Sequence, residues 1–471
     1  MSSRTLSDFI KAYDVRGLVP EQLDAEVAKA IGSAFAEVVA LPEGASSVVV
    51  GYDMRPSSPE LSRAFAEGVA GHGLDVVIIG LCSTDGLYYA SGAMDLPGAM
   101  FTASHNPAAY NGIKLCRAGA RPVGQDSGLA RICEIAQSIV DGERPVVPEG
   151  VAAGAIGEKD TVDDYAAFLR GLVDLTAIRP LKVVVDAGNG MGGFTVPAVL
   201  DGLPLDVVPL YFELDGTFPN HEANPLDPAN LVDLQKAVVE HQADLGLAFD
   251  GDADRCFVVD ERGEPVSPSV ITALVATREV ARAVAGGAKA EDVTIVYNVI
   301  SSHVVREVVA ELGAKGLRTR VGHSFIKAEM AAHDAVFGGE HSAHYYYRDF
   351  WFADTGMLSA LHVLAALGEQ DSTLSQLVAE YDRYRASGEI NSTVSSVADA
   401  TQRVLDWAAA KNVDVDTLDG ITVTSLDQRA PKWWFNLRPS NTEPLLRLNV
   451  EAADDATMAS VRDEVLAVVR A

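Results

Sequence analysis

At 471 residues the chain is long enough for more than one domain, and a composition that is 48% hydrophobic belongs to a globular protein with sizeable cores. A formal charge of -29 repels polyanions, which excludes nucleic acid and anionic membrane surfaces as main partners and requires any anionic substrate to meet a local cluster of cations. The opening segment, MSSRTLSDFIKAYDVRG, has no apolar core of signal-peptide length, and no later run approaches a membrane span, so a cytoplasmic protein is expected. Cys82, Cys116, Cys133 and Cys256 have no paired CxxC spacing, so they are expected to be reduced, small hydrophobes.

Taken in order, the chain repeats one kind of unit. Ser47-Val48-Val49-Val50-Gly51-Tyr52-Asp53 is a short apolar run ending in a turn, followed by helical periodicity from Glu60 to Val69. Leu181-Lys182-Val183-Val184-Val185-Asp186 does the same before Gly188-Asn189-Gly190. So does Val293-Thr294-Ile295-Val296-Tyr297-Asn298 before a helix through Val305 and Val309. Continuous Val/Ile runs alternating with helices mark buried parallel strands in α/β layers. A Gly/Pro/Ala-rich stretch from 142 to 157 reads as a linker, and the polar turn Asp260-Glu261-Arg262-Gly263 as a second boundary. Beyond Gly368 the pattern changes to strands at Ile421-Thr422-Val423 and Trp433 to Arg438, closed by a helix over Ala456 to Val469. The expected architecture is three similar mixed α/β domains at 1–150, 151–260 and 261–370, with a C-terminal α+β domain at 371–471, around a central cleft.

Four stretches carry candidate chemistry. Thr102-Ala103-Ser104-His105-Asn106-Pro107 puts a hydroxyl beside an imidazole, with Lys114 a short loop away. A serine needs such neighbours before it can exchange a group, and Asn-Pro with Asn111-Gly112 favours a rigid, exposed loop. In Asp250-Gly251-Asp252-Ala253-Asp254-Arg255, alternate carboxylates of an extended segment project to one side and repel unless a cation joins them. Oxygen ligands of that kind suit Mg²⁺. An EF-hand would place its sixth residue, a glycine, at Arg255 and would need helical flanks where strands are read; a solvated acidic turn is the other reading. Gly338-Gly339-Glu340-His341-Ser342-Ala343-His344 offers donors and acceptors for sugar hydroxyls, or is a satisfied polar loop. Arg438-Pro439-Ser440-Asn441-Thr442-Glu443-Pro444 combines an arginine fork, hydroxyls and turn amides that suit phosphate.

Together these stretches resemble the α-D-phosphohexomutases, and among them the bacterial phosphomannomutase/phosphoglucomutase group. In order, TASHNP is similar to that family's phosphoserine loop, DGDADR to its metal loop, GEHSAH to its sugar-recognition loop and RPSNTEP to its phosphate loop; Ala12-Tyr13-Asp14-Val15-Arg16-Gly17 resembles its N-terminal signature. The resemblance implies an isomerase that moves phosphate between C1 and C6 of a hexose, mannose first and glucose second, by way of a hexose 1,6-bisphosphate that is both intermediate and activator. It implies a phosphoryl group on Ser104 and one Mg²⁺ held by Ser104, Asp250, Asp252 and Asp254. Tyr13, Arg16, His105, Lys114, Arg255 and His323 would surround the transferring group. Glu340, Ser342 and His344 would select the sugar, and Arg438, Ser440, Asn441 and Thr442 would hold the other phosphate. The expected partner is a phosphosugar, with the chain a monomer or homodimer. Some relatives carry a lysine in the segment that reads Tyr297-Asn298-Val299-Ile300-Ser301-Ser302 in this chain, so a basic role there is lost or moved to Arg320. A Mg²⁺-dependent sugar phosphatase and a phosphoglucosamine mutase are the alternatives; relatives of the second kind have Ser-Gly-Thr where this chain has Ser440-Asn441-Thr442.

Overall fold

The β-branched runs form buried strands in the computed structural model, which describes residues 4–11, 13–439 and 445–471. The chain divides into two compact units, Met1–Val266 with Ser342–Leu377, and Ser267–His341 with Val378–Ala471.

The first unit holds two mixed sheets. In one, Ser47–Tyr52 lies between Asp75–Leu81 and Gly98–Phe101, all parallel, and Tyr110–Arg117 and Val15–Leu18 extend it antiparallel beyond Gly98–Phe101. Ile156–Glu158 adds to the far edge beside Asp75–Leu81, so part of the stretch read as a linker is a strand. Phe35, Phe65 and Phe101 pack behind this sheet with centroids 5.7 and 5.6 Å apart. Full burial of each ring contributes about 1.5–3 kcal/mol. Helix starts follow from capping side chains: Asp24 accepts from the Val27 amide, and Ser83 from the Gly86 amide.

In the second sheet Leu181–Asp186 runs parallel to Leu205–Leu210 and to Leu245–Phe249, and Cys256–Asp260 returns antiparallel along Leu245–Phe249. The segment 250–255 is therefore the connection of a hairpin, which removes the EF-hand reading. The polar turn at Asp260 is a second hairpin bend, and it comes just before the division between the units at Val266 and Ser267. Asp260 Oδ1 accepts from the amides of Arg262 and Glu264, and the next strand, Pro265–Val266, pairs back onto Cys256–Asp260.

In the second unit Thr294–Asn298 is parallel to both Lys315–Thr319 and Phe337–Gly339. A separate antiparallel sheet runs in the order Arg385–Thr393, Leu445–Ala452, Trp433–Pro439, Ile421–Ser425, Val413–Asp416. It is backed by helices Val397–Ala409 and Asp455–Val469 around Val404, Phe435 and Val465. Among the described residues no disulfide joins the four cysteines, and no helix is long and apolar enough to cross a membrane.

Candidate active site

The carboxyl ends of parallel strands point one way, and loops there gather polar groups without interrupting the sheet. In the first unit Gly98–Phe101 ends in the Ser104 loop, Asp75–Leu81 in Ser83-Thr84, and Leu245–Phe249 in the Asp250 loop. These three segments meet.

Ser104 Oγ donates to Asp250 Oδ2 at 2.9 Å and lies 3.1 Å from His105 Nδ1. Its backbone is left-handed, φ +49°, an arrangement a non-glycine residue holds at a cost on the order of 1 kcal/mol. The expected exposure is not found: Ser104 is only 4% exposed. The reason is packing from both sides. Gly251 lies so close that a Cβ there would sit 2.4 Å from the Ser104 carbonyl oxygen. From beneath, the buried Arg55 guanidinium donates to the carbonyls of Ser104, Asn106, Pro107 and Tyr110 at 2.7–3.0 Å, and to Asp53 Oδ2 at 3.2 Å. Arg55 and Asp53 were not singled out from the sequence. The available signal was an acid and a base two residues apart at the end of a buried strand.

Lys114, on Tyr110–Arg117, donates to Asp252 Oδ2 (2.7 Å) and Asp254 Oδ2 (2.6 Å), and Arg255 Nε donates to Asp250 Oδ2 (2.8 Å). Three buried carboxylates against two cations leave one negative charge. Burial raises Asp250, helped by Asp254 and Asp252, although Arg255 opposes it. Burial would raise Asp252 too, but Lys114 and Thr84 hold it well below the usual range. Burial, with Arg255 and Arg16 nearby, lowers the His105 imidazole to about 2, so it is neutral at pH 7.

The residues fit a hard cation. One ligand atom from each of Asp250, Asp252 and Asp254 falls within 4.8 Å of the others. Asp252 Oδ1 and Asp254 Oδ1 are buried without a hydrogen-bond partner, the condition a bound cation would relieve. Arg16 reaches Asn106 Oδ1 (2.9 Å) and Asp14 (2.6 Å). Tyr13 lies two residues before the strand Val15–Leu18, and Ala12 lies outside the described residues. His344 Nδ1 is 2.9 Å from Ser342 Oγ, and its Nε2 is 3.7 Å from Asp254 Oδ1.

Gly251→Ala should part the two loops by a fraction of an ångström, because the atom in the way is backbone. We expect a fall in kcat/KM of about a hundredfold, with a loss of stability of about 1–3 kcal/mol that leaves the protein folded. A variant within a factor of two of the parent would show that the close approach has no catalytic role.

In the second unit the same topology gathers a smaller group. Glu340 Oε1 accepts from Asn298 Nδ2 (3.0 Å) and the Gly322 amide (3.2 Å), tying the ends of two strands to the segment before helix His323–His333, whose first residue is His323. Arg320 is exposed, with its guanidinium 4.8 Å from the Phe325 ring centroid. Arg438 and Arg447 share Glu389 at 3.3 and 3.2 Å. Ser440, Asn441 and Thr442 lie outside the described residues.

Four consecutive segments match the domains of one family: residues 8–142 match phosphoglucomutase/phosphomannomutase α/β/α domain I, 163–263 domain II, 268–384 domain III and 389–468 the C-terminal domain. The chain is 39% identical over 456 residues to a protein of Xanthomonas campestris pv. campestris named phosphohexose mutases, covering 96% of this chain and 97% of that one. It is 38% identical over 470 residues to an Escherichia coli phosphomannomutase, covering 98% of each. The crystal structure of a phosphoglucomutase/phosphomannomutase family protein from Burkholderia thailandensis superposes with a TM-score of 0.85 at 31% identity, over 98% of this chain and 96% of that one. The chain therefore belongs to the phosphoglucomutase/phosphomannomutase family and is a hexose-phosphate mutase, an isomerase.

Proposed function

We propose that the enzyme interconverts hexose 6-phosphate and hexose 1-phosphate, with mannose as preferred sugar and glucose as the other, through a phosphoserine at Ser104 and a hexose 1,6-bisphosphate. The contact of Ser104 Oγ with Asp250 and His105, inside a ring that also holds Lys114 and Arg255, carries this reading. One Mg²⁺, held by Asp250, Asp252, Asp254 and an oxygen on Ser104, would neutralise charge on the transferring phosphoryl group.

Phosphoryl transfer needs positioning and charge balance more than covalent chemistry. Lys114 and Arg255 are fixed cations beside the serine. When phosphate leaves Ser104 for a sugar hydroxyl, one P–O bond breaks as another forms, and the hydroxyl must give up its proton. When Ser104 attacks in turn, its proton passes to Asp250 Oδ2 or to the neutral His105 imidazole, both already within hydrogen-bond distance. Tyr13, Arg16 and His323 would contact the phosphosugar. Glu340, Ser342 and His344 would select its hydroxyls, and Arg438 with Ser440, Asn441 and Thr442 would take the phosphate that is not reacting. The four domains read at 1–150, 151–260, 261–370 and 371–471 would each supply one of these loops. The enzyme would act in the cytoplasm as a monomer or homodimer.

A coupled assay of mannose 1-phosphate and glucose 1-phosphate, with the matching bisphosphate supplied, tests the reading. It should show turnover of both and a higher kcat/KM for mannose. Orthophosphate release with no 6-phosphate product would replace the mutase reading by hydrolysis. In the same assay Arg438→Ala should lose about thirty- to a hundredfold in kcat/KM, roughly 2–3 kcal/mol of transition-state binding, and remain folded. A surface ion-pair residue would cost less than about 1 kcal/mol of stability and no activity.

A further inference from the structure

The carboxylate of Asp252 is not oriented by its own loop alone. Its Oδ2 accepts from the Thr84 hydroxyl at 2.6 Å as well as from Lys114, and its carbonyl accepts from the Thr84 amide at 3.0 Å. The terminal torsion of an aspartate is broad, so an isolated carboxylate would rotate. Thr84 stops that rotation and leaves Oδ1 as the buried oxygen without a hydrogen-bond partner.

Thr84 is itself held. It opens the helix Thr84–Met94, whose capping residue Ser83 donates to Asp85. Asp85 is fully buried and also accepts from Thr355 Oγ1 (2.6 Å) and Tyr165 OH (2.8 Å). Thr355 caps the helix Gly356–Gly368, and Gly356 lies so close under the far end of the metal loop that a Cβ there would be 2.7 Å from the Arg255 carbonyl carbon. Three hydroxyls donate to one carboxylate, and an amide in its place would keep only one acceptor oxygen and force at least one hydroxyl to turn from donor to acceptor. The network therefore meets the loop at two points, through Thr84 at Asp252 in its middle and through Gly356 at Arg255 at its end.

We infer that Thr84 is a positioning residue for the cation site, acting through Asp252 and held in place by Asp85. The inference rests on Asp252 being a cation ligand, and the test separates the two. Mn²⁺ binding to the purified enzyme, followed by the EPR signal of free Mn²⁺, is measured together with the unfolding midpoint. Asp252→Asn should weaken Mn²⁺ binding more than Thr84→Val does; binding unchanged in Asp252→Asn would sink the ligand reading itself. Thr84→Val should weaken it about tenfold with little change in midpoint, Thr84→Ser should return it to within twofold of the parent, and Thr84→Val should add nothing in the Asp252→Asn background. If Asp252→Asn loses Mn²⁺ while Thr84→Val stays within twofold, the positioning role is overturned. An equal loss in Thr84→Ser and Thr84→Val overturns it as well, because packing and not the hydroxyl would then be responsible. Should Thr84→Val not fold, Asp85→Asn provides the same reading, with an expected severalfold weakening; parent-like binding there removes Asp85 from the relay.

Discussion

Ser104→Ala should abolish turnover, by at least about a thousandfold, and remove the phosphate-sized mass increment expected on freshly purified enzyme. The oxygens beside it are already committed: the carboxylates nearby are engaged with Lys114 and Arg255, and Thr102 Oγ1 accepts from the Ser104 amide. The variant should fold normally, since the lost hydroxyl makes only the Asp250 and His105 contacts. Intact-mass analysis and the coupled assay check both halves. Undiminished turnover would move the phosphoryl carrier elsewhere.

Arg55→Met should be the most destabilising single change near the site, at roughly 3–5 kcal/mol, because it leaves the Asp53 carboxylate buried without its cation and takes the guanidinium from four loop carbonyls, of which Pro107 keeps the Tyr110 amide. Arg55→Lys separates charge from shape. An ammonium keeps the ion pair with Asp53 but cannot reach four carbonyls as the planar fork does, so its destabilisation should be intermediate. Urea unfolding followed by fluorescence reads the stability. Arg55→Met within about 1 kcal/mol of the parent would mean that the carbonyls find water and that Arg55 is not what holds the loop.

Much of the framework was legible in the sequence. The runs at Val48, Val183 and Ile295 could be read as buried strands because β-branched residues on both faces have few other uses. The Asp250 and Ser104 loops stood out because each breaks such a pattern with clustered polar groups. Ile156-Gly157-Glu158 was not legible as a strand: it is too short and carries only one apolar side chain, so its place on the sheet edge depends on Asp75–Leu81 being there. The Asp260 turn is the bend of a hairpin, and the segment that matches the second domain ends there, at residue 263. Arg55 was missed for a different reason. Its partners are carbonyls that lie roughly fifty residues further along, and no side-chain pattern announces a backbone acceptor.

The hairpin that carries the three aspartates has a consequence for length variation. Phe249 faces Cys256, and every residue of Leu245–Phe249 and Cys256–Asp260 is buried. Adding or deleting one residue between them would either bulge the loop away from Ser104 or slip the pairing, and a slip exchanges the two faces of a strand that has no solvent side to spare. The connection is therefore as constrained in size by its flanking strands as it is in composition by the side chains it carries. A scan of single-codon insertions across 250–255 would find no silent position, whereas the exposed turn at 286–289 should accept them.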